Sequence, residues 1–354
     1  MKNQQICQLF CIIILSQWTV VDALSTTSKL SLPTYQDVLE ASEILEGVCH
    51  RTPAQTSSCL NEELGVECYF KCENLQKIGA FKFRGAYNAI SHLSKTDLAK
   101  GVLAFSSGNH AQAMAKAASM IGTTSTIVMP HDAPTSKVEA TKGYGGTVVE
   151  YNRYTEDRLQ IAKELQESSG AILIPPYDHV HVIAGQGTAG KELLEDAPEL
   201  DYLLVPVGGG GLISGCALAA TTLAPSCKVI GVEPEAGNDA QQSLKAGKIV
   251  GIETPQTIAD GAQTQQIGQL TFGVMQELVD SIVTVSDDEL IQGMRFFGER
   301  MKLVVEPTGC LGLAGLRKLV ENGTIPKGSR CGVIVTGGNV DVERHCQLLL
   351  GAEE

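Results

Sequence analysis

At 354 residues the chain can bury a sizeable core, in one large or two moderate domains. Hydrophobic residues make up 43% and charged residues 19%, which excludes a disordered or highly charged protein. Its 27 basic and 40 acidic side chains leave a net charge of −13, which repels nucleic acid and anionic lipid and fits a small-molecule ligand better.

Lys2, the apolar run from Leu9 to Leu15 and Val21-Asp22-Ala23 read as a secretory signal cleaved after Ala23, so residues 1–23 are set apart as a signal or targeting segment. The run is too short to span a bilayer. Removing Cys7 and Cys11 with it leaves nine of the eleven cysteines, an odd number with no C-x-x-C pair. That implies neither a disulfide framework nor a zinc site. Cys216, Cys310 and Cys331 stand in apolar contexts and read as small buried hydrophobes. This usage suits a reducing compartment and opposes the signal, so localisation stays open between the two.

After residue 33 short β-branched runs alternate with longer helical patterns, which predicts a parallel sheet covered by helices. The first helix follows Pro33-Thr34 and places Val38, Ala41, Ile44, Leu45 and Val48 on one face. Predicted strands are Val102 to Phe105, Ser125 to Met129, Thr147 to Tyr151, Ala171 to Ile174, Tyr202 to Val207, Val229 to Glu233, Ile282 to Val285 and Cys331 to Thr336. A helix from Asp287 to Lys302 follows the cap candidate Ser286. No repeat or Pro/Gly-rich linker divides the chain. A small α/β domain over residues 101–177 is therefore expected as an insertion into a larger one formed by 24–100 and 178–354.

Four stretches carry chemistry. Lys71 to Ala86 reads as a polar loop leading into a helix that starts near Lys82. Phe81 and Phe83 flank that lysine, and a desolvated lysine has a lowered pKa and a neutral amine able to form a Schiff base. Ser106-Ser107-Gly108-Asn109-His110-Ala111-Gln112 sits at the carboxyl end of an apolar strand, where open α/β sheets bind ligands, although Ser107 or Asn109 could simply cap a helix. Leu203 to Val207 runs into Gly208-Gly209-Gly210-Gly211-Leu212 and then a helix, a turn that lets backbone amides approach a phosphate. The last stretch, Val333 to Asn339, is a strand ending in Thr336-Gly337-Gly338. A competing match to the dinucleotide pattern, Gly185-Gln186-Gly187-Thr188-Ala189-Gly190, lacks a preceding buried strand and a following acidic residue, so a nicotinamide oxidoreductase is disfavoured.

Together these stretches resemble the pyridoxal-phosphate enzymes of the tryptophan-synthase-β fold (fold type II). Within them they are most similar to the serine racemase, threonine dehydratase and threo-3-hydroxyaspartate dehydratase group, over about Thr34 to Leu349. The resemblance implies Lys82 as cofactor lysine and base, beside Phe81, and Ser107 as base on the opposite face. It also implies Asn109 on the ring oxygen, Gly208, Gly209, Gly210, Gly211 and Leu212 around the phosphate, and Thr336 at the pyridine nitrogen. Glu233, Asp239 and the carbonyl of Gly237 match a divalent-cation site of serine racemases, with magnesium, manganese or calcium as the ion; alone they would read as a solvated strand end and helix cap. Ser57, Ser58, Lys77, Gln112, Tyr144 and Asn339 match a nucleotide-effector site, while Ile78 departs from the threonine of animal racemases and puts ATP activation in question. A homodimer is implied too. Ala80 in Gly79-Ala80-Phe81-Lys82 places the chain nearer the hydroxyaspartate-dehydratase branch.

The expected activity is interconversion of L- and D-serine, accompanied by elimination from L-serine or L-threonine to a 2-oxo acid and ammonia. The alternatives are a threo-3-hydroxyaspartate ammonia-lyase, a plain threonine/serine dehydratase, and a catalytically dead cofactor-binding protein. Substrate preference does not follow, because one methyl group in an apolar pocket discriminates by only about 1–3 kcal/mol.

Overall fold

The computed structural model describes residues 31–133, 135–152 and 154–351. The predicted signal segment 1–23 lies outside the described residues. Leu32–Glu354 forms one compact unit that holds two sheets.

The strands in chain order are β1 (Ala54–Gln55), β2 (Glu67–Cys72), β3 (Val102–Phe105), β4 (Ser125–Pro130), β5 (Thr147–Tyr151), β6 (Ile172–Leu173), β7 (Tyr202–Pro206), β8 (Lys228–Pro234), β9 (Ser281–Val285) and β10 (Arg330–Val335). Six of them form a sheet in the order β1-β2-β10-β7-β8-β9, parallel except for the antiparallel edge strand β1. The other four pair in parallel as β5-β4-β3-β6, so the second sheet is inserted in the chain between β2 and β7. Parallel strands need both faces covered, and β7 and β10 are accordingly apolar and buried along nearly their whole length. Because β7 and β10 are neighbours, their carboxyl ends bring the four-glycine turn and Thr336 to the same end of the sheet.

All eight predicted strands form, each with both ends within one residue of the expected position. Two further strands, β1 and β2, were not expected. β2 corrects the reading of Lys71 and Cys72 as loop: both lie in the strand and are fully buried, and Lys71 pairs with Glu192 at 2.6 Å. The first helix is Tyr35–Leu45, which buries Val38, Ala41 and Leu45 but ends before Val48. Ser286 accepts a hydrogen bond from the Glu289 amide as a helix cap, but the helix stops at Phe296 and a π-turn covers Phe297–Met301. The nine described cysteines are all free thiols, with Cys216, Cys310 and Cys331 buried. No helix among the described residues is long and apolar enough to cross a membrane.

The dinucleotide-like motif lies inside a continuous helix, Val180–Asp196. Its glycines permit close packing on two other helices. A Cβ on Gly185 would stand 2.6 Å from the Arg84 carbonyl oxygen, and one on Gly187 would stand 2.7 Å from that of Gly215. With no strand-to-helix turn, the motif offers no free amides to a pyrophosphate.

Candidate active site

Lys82 opens the helix Lys82–Ser91. The chain before it is fixed to the end of β10: Ala80 bridges Gly337, and the Phe81 amide donates to the Thr336 carbonyl at 3.0 Å. The Lys82 side chain is half-buried as a whole, while its amine is enclosed, donates to the Pro176 carbonyl at 2.8 Å and stands 5.1 Å from the centre of the Phe81 ring. Burial lowers this amine to about 8. Thr336, just past β10, is buried, and its hydroxyl oxygen has no hydrogen-bond partner among the described residues. Two residues beyond Lys82, Arg84 is fully buried between Glu73 and Glu192.

The turn after β3 leads into the helix Asn109–Ile121, whose N-cap position is Gly108 with no side-chain cap bond. Neither Ser107 nor Asn109 therefore caps it, which corrects the structural alternative read from the sequence. Asn109 instead donates to Glu306 Oε1 and accepts from the Asn339 amide, both at 2.8 Å. Asn339 also donates to the Ile78 carbonyl at 2.7 Å.

Two buried groups here were not singled out from the sequence. Burial, followed by the charge of Asp260, pushes the Glu306 carboxyl up to about 8. Burial and then Lys82 push the His110 imidazole down to about 3, so it is neutral, and its Nε2–H donates to the Ile174 carbonyl at 3.1 Å. His110 Nδ1 has no partner among the described residues. Glu306 carried no usable local signal, since its role depends on a partner 197 positions away. His110 lies within the Ser106 to Gln112 stretch.

The glycine turn joins β7 to the helix Gly211–Leu223, whose N-terminus carries no side-chain cap, so its amides remain open to an anion. Gly210 adopts φ +87°, in the left-handed region that glycine enters without strain. A Cβ on Gly209 would fall 2.2 Å from the Tyr177 ring, so the cradle closes against that ring. A phosphate-bearing cofactor with an aldehyde and a ring nitrogen fits this set: open amides, an enclosed amine of lowered pKa, and an unpartnered buried hydroxyl.

At the carboxyl end of β8, Glu233 accepts from the amides of Ala240 and Gln241 at 3.0 and 2.9 Å. Asp239 opens the helix Asp239–Ala246, and both its carboxylate oxygens lack a partner among the described residues. Burial pushes Glu233 up to about 8, with Asp239 adding to it, and Asp239 itself up to about 7. Both are fully buried, which corrects the reading of a solvated strand end; Gly237 lies buried in the turn between them. No group of three or more His, Cys, Asp or Glu among the described residues could hold an ion.

Of the six effector candidates, Asn339 and Gln112 lie near Asn109. The Ser57 hydroxyl accepts from the Leu60 amide and caps the helix Ser58–Leu64, Lys77 occupies a 3-10 turn, and Tyr144 lies under the Lys116 amine.

The sequence profile described as pyridoxal-phosphate dependent enzyme matches residues 45–337. L-threo-3-hydroxyaspartate ammonia-lyase of Saccharomyces cerevisiae is 57% identical over 323 residues, covering 91% of this chain and 98% of that protein. Serine racemase of Schizosaccharomyces pombe is likewise 57% identical over 323 residues, covering 91% and 99%. Among solved structures, that of maize serine racemase superposes with a TM-score of 0.86 at 40% identity, covering 91% of this chain and 98% of that one.

Proposed function

The chain belongs to the family of pyridoxal-phosphate-dependent enzymes, and from that premise we propose that it interconverts L- and D-serine and eliminates water from L-serine or L-threonine to give a 2-oxo acid and ammonia. The observation that carries the proposal is the enclosed Lys82 amine at about 8, at the same sheet end as the uncapped glycine turn and the unpartnered Thr336 hydroxyl.

Lys82, with Phe81 beside it, would hold the cofactor's aldehyde end, the amides of Gly208–Gly211 and Leu212 would hold its phosphate, and Asn109 and Thr336 would hold its ring oxygen and ring nitrogen. When bound, pyridoxal phosphate supplies the electron sink for the negative charge left at the substrate α-carbon. The Lys82 amine is the base for the α-proton: with a pKa of about 8, roughly a tenth of it is neutral at pH 7, far more than for an exposed lysine. Ser107 returns a proton to the opposite face and gives the other enantiomer. If the β-hydroxyl leaves first, as water, the enamine product becomes an imine that water hydrolyses to a 2-oxo acid and ammonia. Burial and the neutral His110 help exclude charge from around the amine.

A second reading, L-threo-3-hydroxyaspartate ammonia-lyase, is favoured by a relative with that name at the same 57% identity. We also place a divalent cation at Glu233, Asp239 and the Gly237 carbonyl, supported by the unpartnered oxygens of buried Asp239. A nucleotide effector at Ser57, Ser58, Lys77, Gln112, Tyr144 and Asn339, and a homodimer, follow from the same resemblance.

The test is an absorption spectrum of the purified protein followed by assays with L-serine, L-threonine and L-threo-3-hydroxyaspartate. The expected result is a visible band bleached by borohydride, with D-serine and pyruvate both formed from L-serine. A visible band with no turnover of any of the three would establish a dead binder. Turnover of hydroxyaspartate with no D-serine would establish the second reading.

A further inference from the structure

Gln186 sits in the middle of the Val180–Asp196 helix, 1% exposed, within the motif that the sequence offered as a dinucleotide site. Its side chain meets the carbonyl that receives the Lys82 amine. Gln186 Nε2 donates to the Pro176 carbonyl at 3.5 Å, and that same oxygen accepts from the Lys82 amine at 2.8 Å. A carbonyl oxygen has two lone pairs, so both donors are accommodated. Gln186 Oε1, by contrast, has no partner among the described residues, an expensive arrangement for a buried acceptor unless a donor arrives.

The space for this amide is made by two glycines. A Cβ on Gly85 would lie 3.0 Å from Gln186 Cγ, and one on Gly211 would lie 2.7 Å from Oε1. Gln186 therefore touches the helix that carries Lys82, the loop that receives its amine, and the first residue of the helix after the glycine turn.

The charged and titratable groups around the amine leave this role to a neutral side chain. His110 is neutral. Asp178 turns both oxygens away, to the amides of Gln269, Leu270 and Thr271, and the Tyr177 hydroxyl donates to the Gln266 carbonyl.

We propose that Gln186 is a positioning residue for Lys82: its amide nitrogen holds the Pro176 carbonyl that accepts from the Lys82 amine. The proposal rests on Lys82 being the cofactor lysine. A neutral amide places no charge near the amine, so the amine remains able to shed its proton. A carboxylate at this place would favour the ammonium form, and a thioether would remove the donor that holds the Pro176 carbonyl.

The test compares full-length wild type, Gln186→Glu and Gln186→Met. Each is stripped of cofactor and acylated with an amine-reactive anhydride over about pH 6 to 10, and the label on Lys82 is quantified by peptide mapping. The same proteins are then reloaded, and kcat and KM are measured across that range. Gln186→Glu is expected to raise the midpoint of Lys82 labelling by about one pH unit or more, and to move the acid limb of kcat the same way. Gln186→Met is expected to lower kcat roughly tenfold, with KM changed less than about twofold.

Equal labelling midpoints in wild type and Gln186→Glu overturn the proposal, as does an unchanged kcat in Gln186→Met, which decides the matter if the charged variant does not fold. Borohydride reduction of the loaded wild type separates the two possible failures. A pyridoxyl group on another residue overturns the Lys82 assignment and this proposal with it. A pyridoxyl group on Lys82 together with equal midpoints overturns this proposal alone.

Discussion

Replacing Arg84 by Met is expected to destabilise the protein by about 3–5 kcal/mol, the usual cost of removing one partner from a buried ion pair. The guanidinium is fully buried. It donates from Nε and Nη2 to Glu73 at 2.8 Å each, from Nη1 and Nη2 to Glu192 at 2.7 and 2.8 Å, and from Nη1 to Thr188 at 3.1 Å. Methionine fills much of the same volume, so the loss is electrostatic more than steric. Glu192 would keep Lys71 at 2.6 Å, and Glu73 would keep the Thr52 hydroxyl at 2.5 Å, which does not replace the charge.

The pH dependence has a definite sign. Burial pushes the Glu192 carboxyl up, but Arg84 and Lys71 outweigh it and the net direction is below the ordinary 4.5. A carboxylate lowered on folding contributes stability that is present above its unfolded value and is lost as pH falls through its folded value. The penalty of Arg84→Met should therefore be largest near pH 7 and shrink below about pH 4. Urea unfolding at both pH values measures it, with midpoint and slope fitted together. A loss under about 1 kcal/mol at pH 7, or one that grows on acidification, would refute the reasoning.

Lys82→Ala should abolish the visible absorbance of the loaded enzyme and all turnover; full activity in that variant would remove Lys82 from the mechanism. Gly209→Ala must displace Tyr177 or the turn, since the new Cβ falls 2.2 Å from the ring, and cofactor affinity should drop at least about tenfold in an absorbance titration. Saturating magnesium or calcium should raise the melting temperature of the wild type, with about 2.7 kcal/mol of stabilisation at a hundred times the dissociation constant. An equal rise in the Glu233→Ala, Asp239→Ala double variant would show that the ion binds elsewhere. Ser107→Ala should lose D-serine formation while still converting L-serine to pyruvate, as read by quantifying both products; an unchanged product ratio would exclude Ser107 as the second proton carrier.

The fold was readable wherever burial on both faces forced a run of apolar, β-branched residues, as in β7 and β10. It was not readable in β2, because Glu67 and Lys71 break the pattern. Lys71 can be buried there because Glu192, from a helix 121 positions later, supplies its counter-charge and the Thr52 carbonyl accepts from its amine. The site divides the same way. The glycine turn, the Lys82 stretch and the end of β10 each announce themselves locally, because a backbone approach or a flanking apolar pair leaves a mark in consecutive residues. Glu306 and Gln186 leave none, since each acquires its role from groups that only the folded topology brings near. Gln186 was even masked by the glycines around it, whose spacing serves helix packing and copies a nucleotide-binding pattern by coincidence of composition.

In the folded chain Ser107 has no capping role. From sequence, a serine before a helical run is first a cap, and losing a cap costs about 0.5–2 kcal/mol, enough to lower every activity of an enzyme together. In the folded chain the cap position passes to Gly108, with no side-chain bond, and Asn109 turns to Glu306 and Asn339. Removing the Ser107 hydroxyl therefore takes no capping bond from the helix. A selective loss of one product could then be read as chemistry at that hydroxyl, because the structural explanation that would have predicted a uniform loss has no bond to act through.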